Sequence, residues 1–214
     1  MKLIFTYDKD MDIWCLLNKG KSSNNSSQPT AVYKQLVQFA GENPNRDLTS
    51  KFIDKYLKEN NIDIQHHIEK YQKEFDSISE KFHEIAQKVF GVSLINDITV
   101  YLTINNRCPY NINKNLFFVS VSNTSALRTI MHELWHFYTW YKYGAEEQEK
   151  IGDEQYNNFK EALTVLLNVE CKDLLPNGVE DTGYPQHQDL RNKIIELWKQ
   201  NSDIGFVWSQ IKSV

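Results

Sequence analysis

A chain of 214 residues is long enough for one domain, or one domain with a small appendage, and for a core that needs no disulfide or metal to hold it. Its 41% apolar and 13% aromatic residues exclude a disordered polymer. A net charge of −4, from 24 basic and 28 acidic residues with no long run of either sign, gives no reason to expect nucleic acid or an anionic membrane as partner.

Cys15, Cys108 and Cys171 are odd in number and widely spaced, which suggests neither a disulfide framework nor a zinc knuckle. The start, Met1 to Tyr7, has only a short apolar run, where a signal peptide needs about 7–15 residues. No stretch approaches the ~18 apolar residues of a membrane span. The expected location is the cytoplasm, with reduced thiols.

Leu3–Tyr7 and Ile13–Leu17 read as two strands of an N-terminal β-hairpin, turning at Asp8-Lys9-Asp10. The alternate acids Asp8, Asp10 and Asp12 lack the glycine and closing glutamate of a calcium loop, so a plain turn is expected. Lys21–Gln28 is a polar connector, which divides the chain into an N-terminal segment 1–28 and a main domain 29–214. Pro29 opens a helix to about Ala40, closed by Gly41. A second helix runs from Leu48 to Glu59, with Asp47 as its cap.

From Ile62 to Phe90, apolar residues step by fours and threes through Ile64, Ile68, Tyr71, Phe75, Ile78, Phe82, Ile85 and Val89, the stripe of one long helix. Such a stripe in 62–90 either receives a protein partner or packs along its own core; the aromatics Tyr71, Phe75 and Phe82 favour the core. His66, His67 and His83 lie off the stripe and are expected in solvent. Two strands follow, Ile98–Ile104 and Leu116–Val121, separated by a polar loop containing Pro109. A helix from near Thr124 stops at Gly144. After a polar stretch, Ala145–Asn158, another spans Phe159–Cys171, and a turn rich in Pro and Gly leads to a helical region over Asp189–Ile211. The helices of 29–91, a central segment 98–171 and the C-terminal helices of 186–213 make an α+β chain, mainly helical.

The segment His132-Glu133-Leu134-Trp135-His136 is an HExxH motif on a predicted helix. Residues four apart share a helix face with Cβ atoms about 5–6 Å apart, close enough for both imidazoles to reach one ion. Glu133 then stands beside the ion, where a general base takes a proton from a metal-activated water. Apolar flanks (Leu127, Ile130, Met131, Leu134, Phe137, Tyr138) mark the helix as buried, and no breaker interrupts it.

Catalytic zinc usually takes three protein ligands and a water. A glycine-and-histidine continuation is excluded, because Thr139 and Lys142 occupy those positions. The remaining candidates are Glu146, Glu147, Glu149, Glu154, Glu161 and Glu170. Phase does not separate Glu147, Glu154 and Glu161. Burial does: Glu161 sits in the apolar run Phe159–Leu167, where an unpaired carboxylate costs several kcal/mol unless a cation compensates it. Glu154, among polar residues, is the next choice.

With His132-Glu133-Leu134-Trp135-His136 and Glu161 in Lys160-Glu161-Ala162-Leu163, the chain resembles the gluzincin zinc metallopeptidases over about Ile98–Cys171. The resemblance implies a zincin-like fold, with a small sheet packed on the HExxH helix, and one Zn2+ per chain on His132, His136 and Glu161. It also implies Leu116–Val121 as an edge strand to which a peptide substrate pairs. By the same analogy, Tyr184 or His187 is the catalytic donor that stabilises the oxyanion. The acid often found four residues after the ligand glutamate is replaced by Val165, and Asn168 is left to orient a histidine. The expected activity is peptide-bond hydrolysis with Glu133 as base; the alternative is a zinc-binding regulatory or interaction module with little turnover.

Overall fold

The computed structural model describes residues 1–22, 28–175 and 178–212. Most of the expected connector Lys21–Gln28, and Pro176 of the expected turn, lie outside the described residues. The architecture is α+β and mainly helical, with one four-stranded mixed sheet. The chain forms two compact units, Met1–Glu74 with Asn96–Ala126, and Phe75–Ile95 with Leu127–Val214.

The first unit holds the sheet. Strands β1 (Leu3–Thr6), β2 (Ile98–Thr103), β3 (Tyr110–Asn111) and β4 (Leu116–Ser120) lie in the order β1-β2-β4-β3. β1 runs parallel to β2, from Leu3 opposite Ile98 to Thr6 opposite Tyr101. β2 runs parallel to β4. The expected N-terminal hairpin is therefore wrong. Ile13–Leu17 belongs to helix α1 (Lys9–Lys19), because the Asp8 carboxylate accepts from the backbone N–H groups of Asp10 and Met11 and caps a helix there. Asp12, Ile13, Cys15 and Leu16 are buried at helical rather than alternating spacing.

The three alternate acids do separate work. Asp8 caps α1, Asp10 pairs with Arg46 at the surface, and Asp12 is fully buried. Asp12 accepts from the Thr103 hydroxyl at 2.5 Å, the Ile104 N–H at 3.1 Å and the Tyr7 hydroxyl at 3.2 Å, tying α1 to β2. Burial pushes its carboxyl up to about 6. Helices α2 (Ala31–Ala40) and α3 (Arg46–Glu59) follow, capped by Thr30 and by Asn45 in place of Asp47.

β4 is not the expected edge strand. The polar loop before it folds back, β3 pairs antiparallel with Leu116 and Phe117, and the Phe118 N–H donates to the Pro109 carbonyl. A peptide cannot add to backbone groups already paired within the chain, and the strand-pairing substrate mode is set aside.

The long helix expected over 62–90 is two helices, α4 (Ile64–Asp76) and α5 (Ser79–Phe90), broken by a turn at 77–78. Its stripe is nevertheless core: Tyr71, Phe75, Phe82 and Val89 are all buried. The Tyr71 hydroxyl donates to the Ser120 carbonyl at 3.2 Å.

The second unit contains α5 and helices α6 (Ala126–Ile151), α7 (Asp153–Leu163), α8 (Leu167–Glu170), α9 (Gln188–Gln200) and α10 (Ile204–Ile211). Gly144 stops the first helix of α6 as expected: φ 48° and ψ −153° there are non-helical and open to glycine, and a second helix continues from the kink to Ile151. Trp208 bridges the kink: Tyr143, just before it, stacks on Trp208 at 3.9 Å between ring centroids, and the Trp208 indole donates to Glu147, just after it, at 2.9 Å. No helix among the described residues is long and apolar enough to cross a membrane.

Phe82, Phe90, Trp135 and Tyr138 form an aromatic core between α5 and the motif turn of α6, with Phe90 and Trp135 edge to face at 5.0 Å. His83 is not free in solvent: its Nδ1 lies 2.8 Å from the Tyr138 hydroxyl, and burial lowers its pKa to about 4. Phe82 is wholly buried, so Phe82→Ala should cost about 3–5 kcal/mol in chemical denaturation. A loss under about 1 kcal/mol would mean that this core is not close-packed.

Candidate metal centre

Around its polar His132, Glu133 and His136, the motif turn of α6 is packed in the core: Ile130, Met131, Leu134, Trp135, Phe137 and Tyr138 have no exposed surface. A helix buried all round cannot move its side chains without disturbing the core, and that rigidity fixes the two histidines. α7 supplies the other wall. It is anchored to α6 by the Trp135 indole, which donates to the Leu163 carbonyl at 3.1 Å.

His132, His136 and Glu161 come together. One oxygen, Glu161 Oε2, lies 3.6 Å from His132 Nε2 and 3.5 Å from His136 Nε2. All three donor atoms lie within 4.8 Å of one another. Ligands about 2.0–2.1 Å from one tetrahedral ion sit about 3.4 Å apart, and the two carboxylate–imidazole spacings are close to that. Two imidazole nitrogens and a carboxylate oxygen are also a donor set that divalent ions accept. The cluster could hold a metal ion.

Glu133, 7% exposed, completes it: its Oε2 is buried and has no hydrogen-bond partner among the described residues. A buried carboxylate oxygen left so is costly in a finished core, and it is suited to meet a further group at the site.

The other glutamates are accounted for elsewhere. Glu154 is exposed in the first turn of α7. Glu147 accepts from Trp208, Lys150 and Lys212, and Glu170 from the Trp198 indole.

A residue the sequence reading missed is Asp181. Its Oδ2 lies 2.6 Å from His132 Nδ1, leaving Nε2 to face Glu161. Asp181 is itself held hard. Its other oxygen is 2.8 Å from the Thr164 hydroxyl and 3.1 Å from Arg191 Nη1, and its carbonyl accepts from Arg191 Nη2. Asn168 grips the Asp181 backbone from both sides, donating to its carbonyl at 2.8 Å and accepting from its N–H at 2.7 Å. The expected role of Asn168 is thus displaced by one step: it holds the residue that orients His132. Gly183, with φ 60°, lets the loop lie against Arg191, whose Nη1 would be 2.6 Å from an added Cβ. Asp181 lies in an irregular segment and carries no periodic signal, so only the nearby Gly183 hinted at a tight approach.

Charges follow from this packing. Burial alone would lower His132, but its hydrogen bonds to Asp181 and Glu161 outweigh that and raise it to about 10. Burial pushes His136 down to about 4 and Glu133 up to about 8. For Glu161, burial opposes ionisation, but the His136 and His132 imidazoles and Lys160 hold it well below the usual carboxylate range. Burial likewise opposes the Asp181 charge, and the bond to His132 overrides it. A proton and a metal ion compete for the same histidine nitrogen.

The two expected donors, Tyr184 and His187, lie against each other. Tyr184 is 37% exposed and packs edge-on against the His187 ring. His187 is buried, with Nε2 3.1 Å from the Asn158 side-chain oxygen.

Asp181→Asn should weaken metal binding about 10–100-fold in competition with a chromophoric chelator, because partners that orient a ligating histidine typically contribute that much. Unchanged affinity would show that the contact does not set the imidazole's orientation.

Comparison of the chain with protein-family models, curated proteins and solved structures finds no match.

Proposed function

We propose that the protein is a zinc-dependent metallopeptidase, with zinc on His132, His136 and Glu161 and with Glu133 as general base. One observation carries this reading: a two-histidine, one-carboxylate cluster from two helices stands next to a buried glutamate oxygen that has no partner among the described residues. A metal serving only to brace the fold needs no such base. Three protein donors, rather than four, are also the usual set of a catalytic zinc.

When bound, zinc polarises a carbonyl and lowers the pKa of water towards about 7. The residues do the rest. Glu133 takes the proton of the attacking water and delivers it to the leaving amine. A cation beside Glu133 favours its ionised form, against the burial that raises its pKa. Asp181 fixes the His132 ring, so that Nε2 faces the cluster. The motif-level similarity to gluzincins supports peptide bonds as the substrate class.

A second reading, a zinc-binding module with little turnover, draws on His187, whose Nε2 is already engaged by Asn158. Zinc analysis together with cleavage of an unfolded protein substrate separates the two. The peptidase should carry about one zinc per chain, lose cleavage on chelation and regain it with added zinc. A full zinc load with no cleavage of any unfolded substrate favours the second reading, and absence of zinc refutes both.

A further inference from the structure

Lys160 is one of the most deeply buried charged residues of the chain, at 4% exposure. It neighbours Glu161 in sequence on α7, so the two side chains leave the helix about 100° apart. Yet the Lys160 ammonium curls back to lie 3.0 Å from Glu161 Oε1. The two oxygens of one carboxylate are therefore divided: Oε1 on Lys160, and Oε2 towards both histidine nitrogens. A buried ammonium is retained at a cost of several kcal/mol unless it is well paired, and an aliphatic side chain would fill the same space without that cost.

We infer that Lys160 is a positioning residue that holds Glu161 as a single-oxygen ligand and so keeps the metal four-coordinate, with one position for water or substrate. The inference rests on the metal reading of His132, His136 and Glu161. Carboxylates bind cations through one oxygen or two. A two-oxygen Glu161 would supply a fourth protein donor and, with water or substrate also bound, raise the metal to five-coordinate. A positive charge on Oε1 opposes this, because drawing Oε1 to the metal breaks a buried charge-assisted hydrogen bond. It also tempers the negative charge that Glu161, Glu133 and Asp181 together place around one small site.

Cobalt(II) reports coordination number directly, since four-coordinate cobalt absorbs far more strongly in the visible than five- or six-coordinate cobalt. The full chain, loaded with cobalt alone, should give the strong four-coordinate spectrum. Lys160→Met, similar in length and uncharged, should still bind cobalt but lose most of that intensity. Lys160→Arg, which keeps a donor for Oε1, should retain it. An unchanged Lys160→Met spectrum at full cobalt load would overturn the inference while leaving the metal reading intact. Failure of the wild type to bind cobalt or zinc would overturn both. A crystal structure of the zinc-loaded wild type tests the same point without a variant. Oε2 alone within about 2.0–2.2 Å of zinc, with Oε1 still on Lys160, is the expected result, and both oxygens at bonding distance would refute it.

Discussion

Glu133→Gln should leave zinc at about one per chain and lower peptide hydrolysis by about 10²–10⁴-fold. Glutamine matches glutamate in shape and still accepts a hydrogen bond, but it takes no proton from water at neutral pH. The ligands are untouched, since His132, His136 and Glu161 form the cluster without Glu133. Stability supplies a second readout. Glu133 is 7% exposed, and burial raises its pKa to about 8, so without a metal the fold at neutral pH must bind a proton there that the unfolded chain does not hold, which costs stability. Glutamine is neutral in both states and removes that cost, and the metal-free variant should melt at or above the wild-type temperature. A fully active Glu133→Gln enzyme would place the base elsewhere. An inactive variant that has also lost its zinc would show Glu133 acting through the site's integrity and not through proton transfer.

Glu161→Ala should abolish tight zinc binding and destabilise the fold together. Two imidazoles alone hold zinc poorly, because structural and catalytic sites rely on at least three protein donors. The truncation also removes the carboxylate that Lys160 pairs with, at 3.0 Å from Glu161 Oε1 in a buried setting. Removing one partner of a buried ion pair typically costs about 3–5 kcal/mol. Glu154→Ala is the control: Glu154 is exposed, and it should lose only the few tenths of a kcal/mol that an acid contributes at a helix start. Zinc competition and thermal unfolding of both variants decide the matter. Wild-type zinc affinity in Glu161→Ala would move the third ligand to another residue.

Much of the site could be read from the sequence, because its parts are local or nearly so. The spacing of His132 and His136 is a helical repeat, and helical repeats survive folding unchanged. Glu161 was separable from Glu147 and Glu154 because its apolar neighbours make burial predictable, and a buried carboxylate needs a cation. The structure brings Glu161 to both histidines. The aromatic stripe of 62–90 was legible as core for the same reason, although the turn at 77–78 that splits it leaves no mark in the periodicity.

Other features were decided only in three dimensions. β1 finds its partner in β2, far along the chain, and no local pattern reveals a parallel pairing of that separation. Ile13–Leu17 was ambiguous as a short apolar run, and the Asp8 cap settled it as helix. β4 lost its open edge to a loop that folds back on it. Asp181 meets His132 from an irregular segment, positioned by Asn168, Thr164 and Arg191, which no spacing rule connects. Lys160 looked like any helical lysine until packing buried it. The sequence alone determined which residues could bind a metal, since ligand chemistry and helical spacing are local properties. Which atoms of those residues converge, and which neighbours hold them there, depended on contacts between distant segments that only the folded chain brings together.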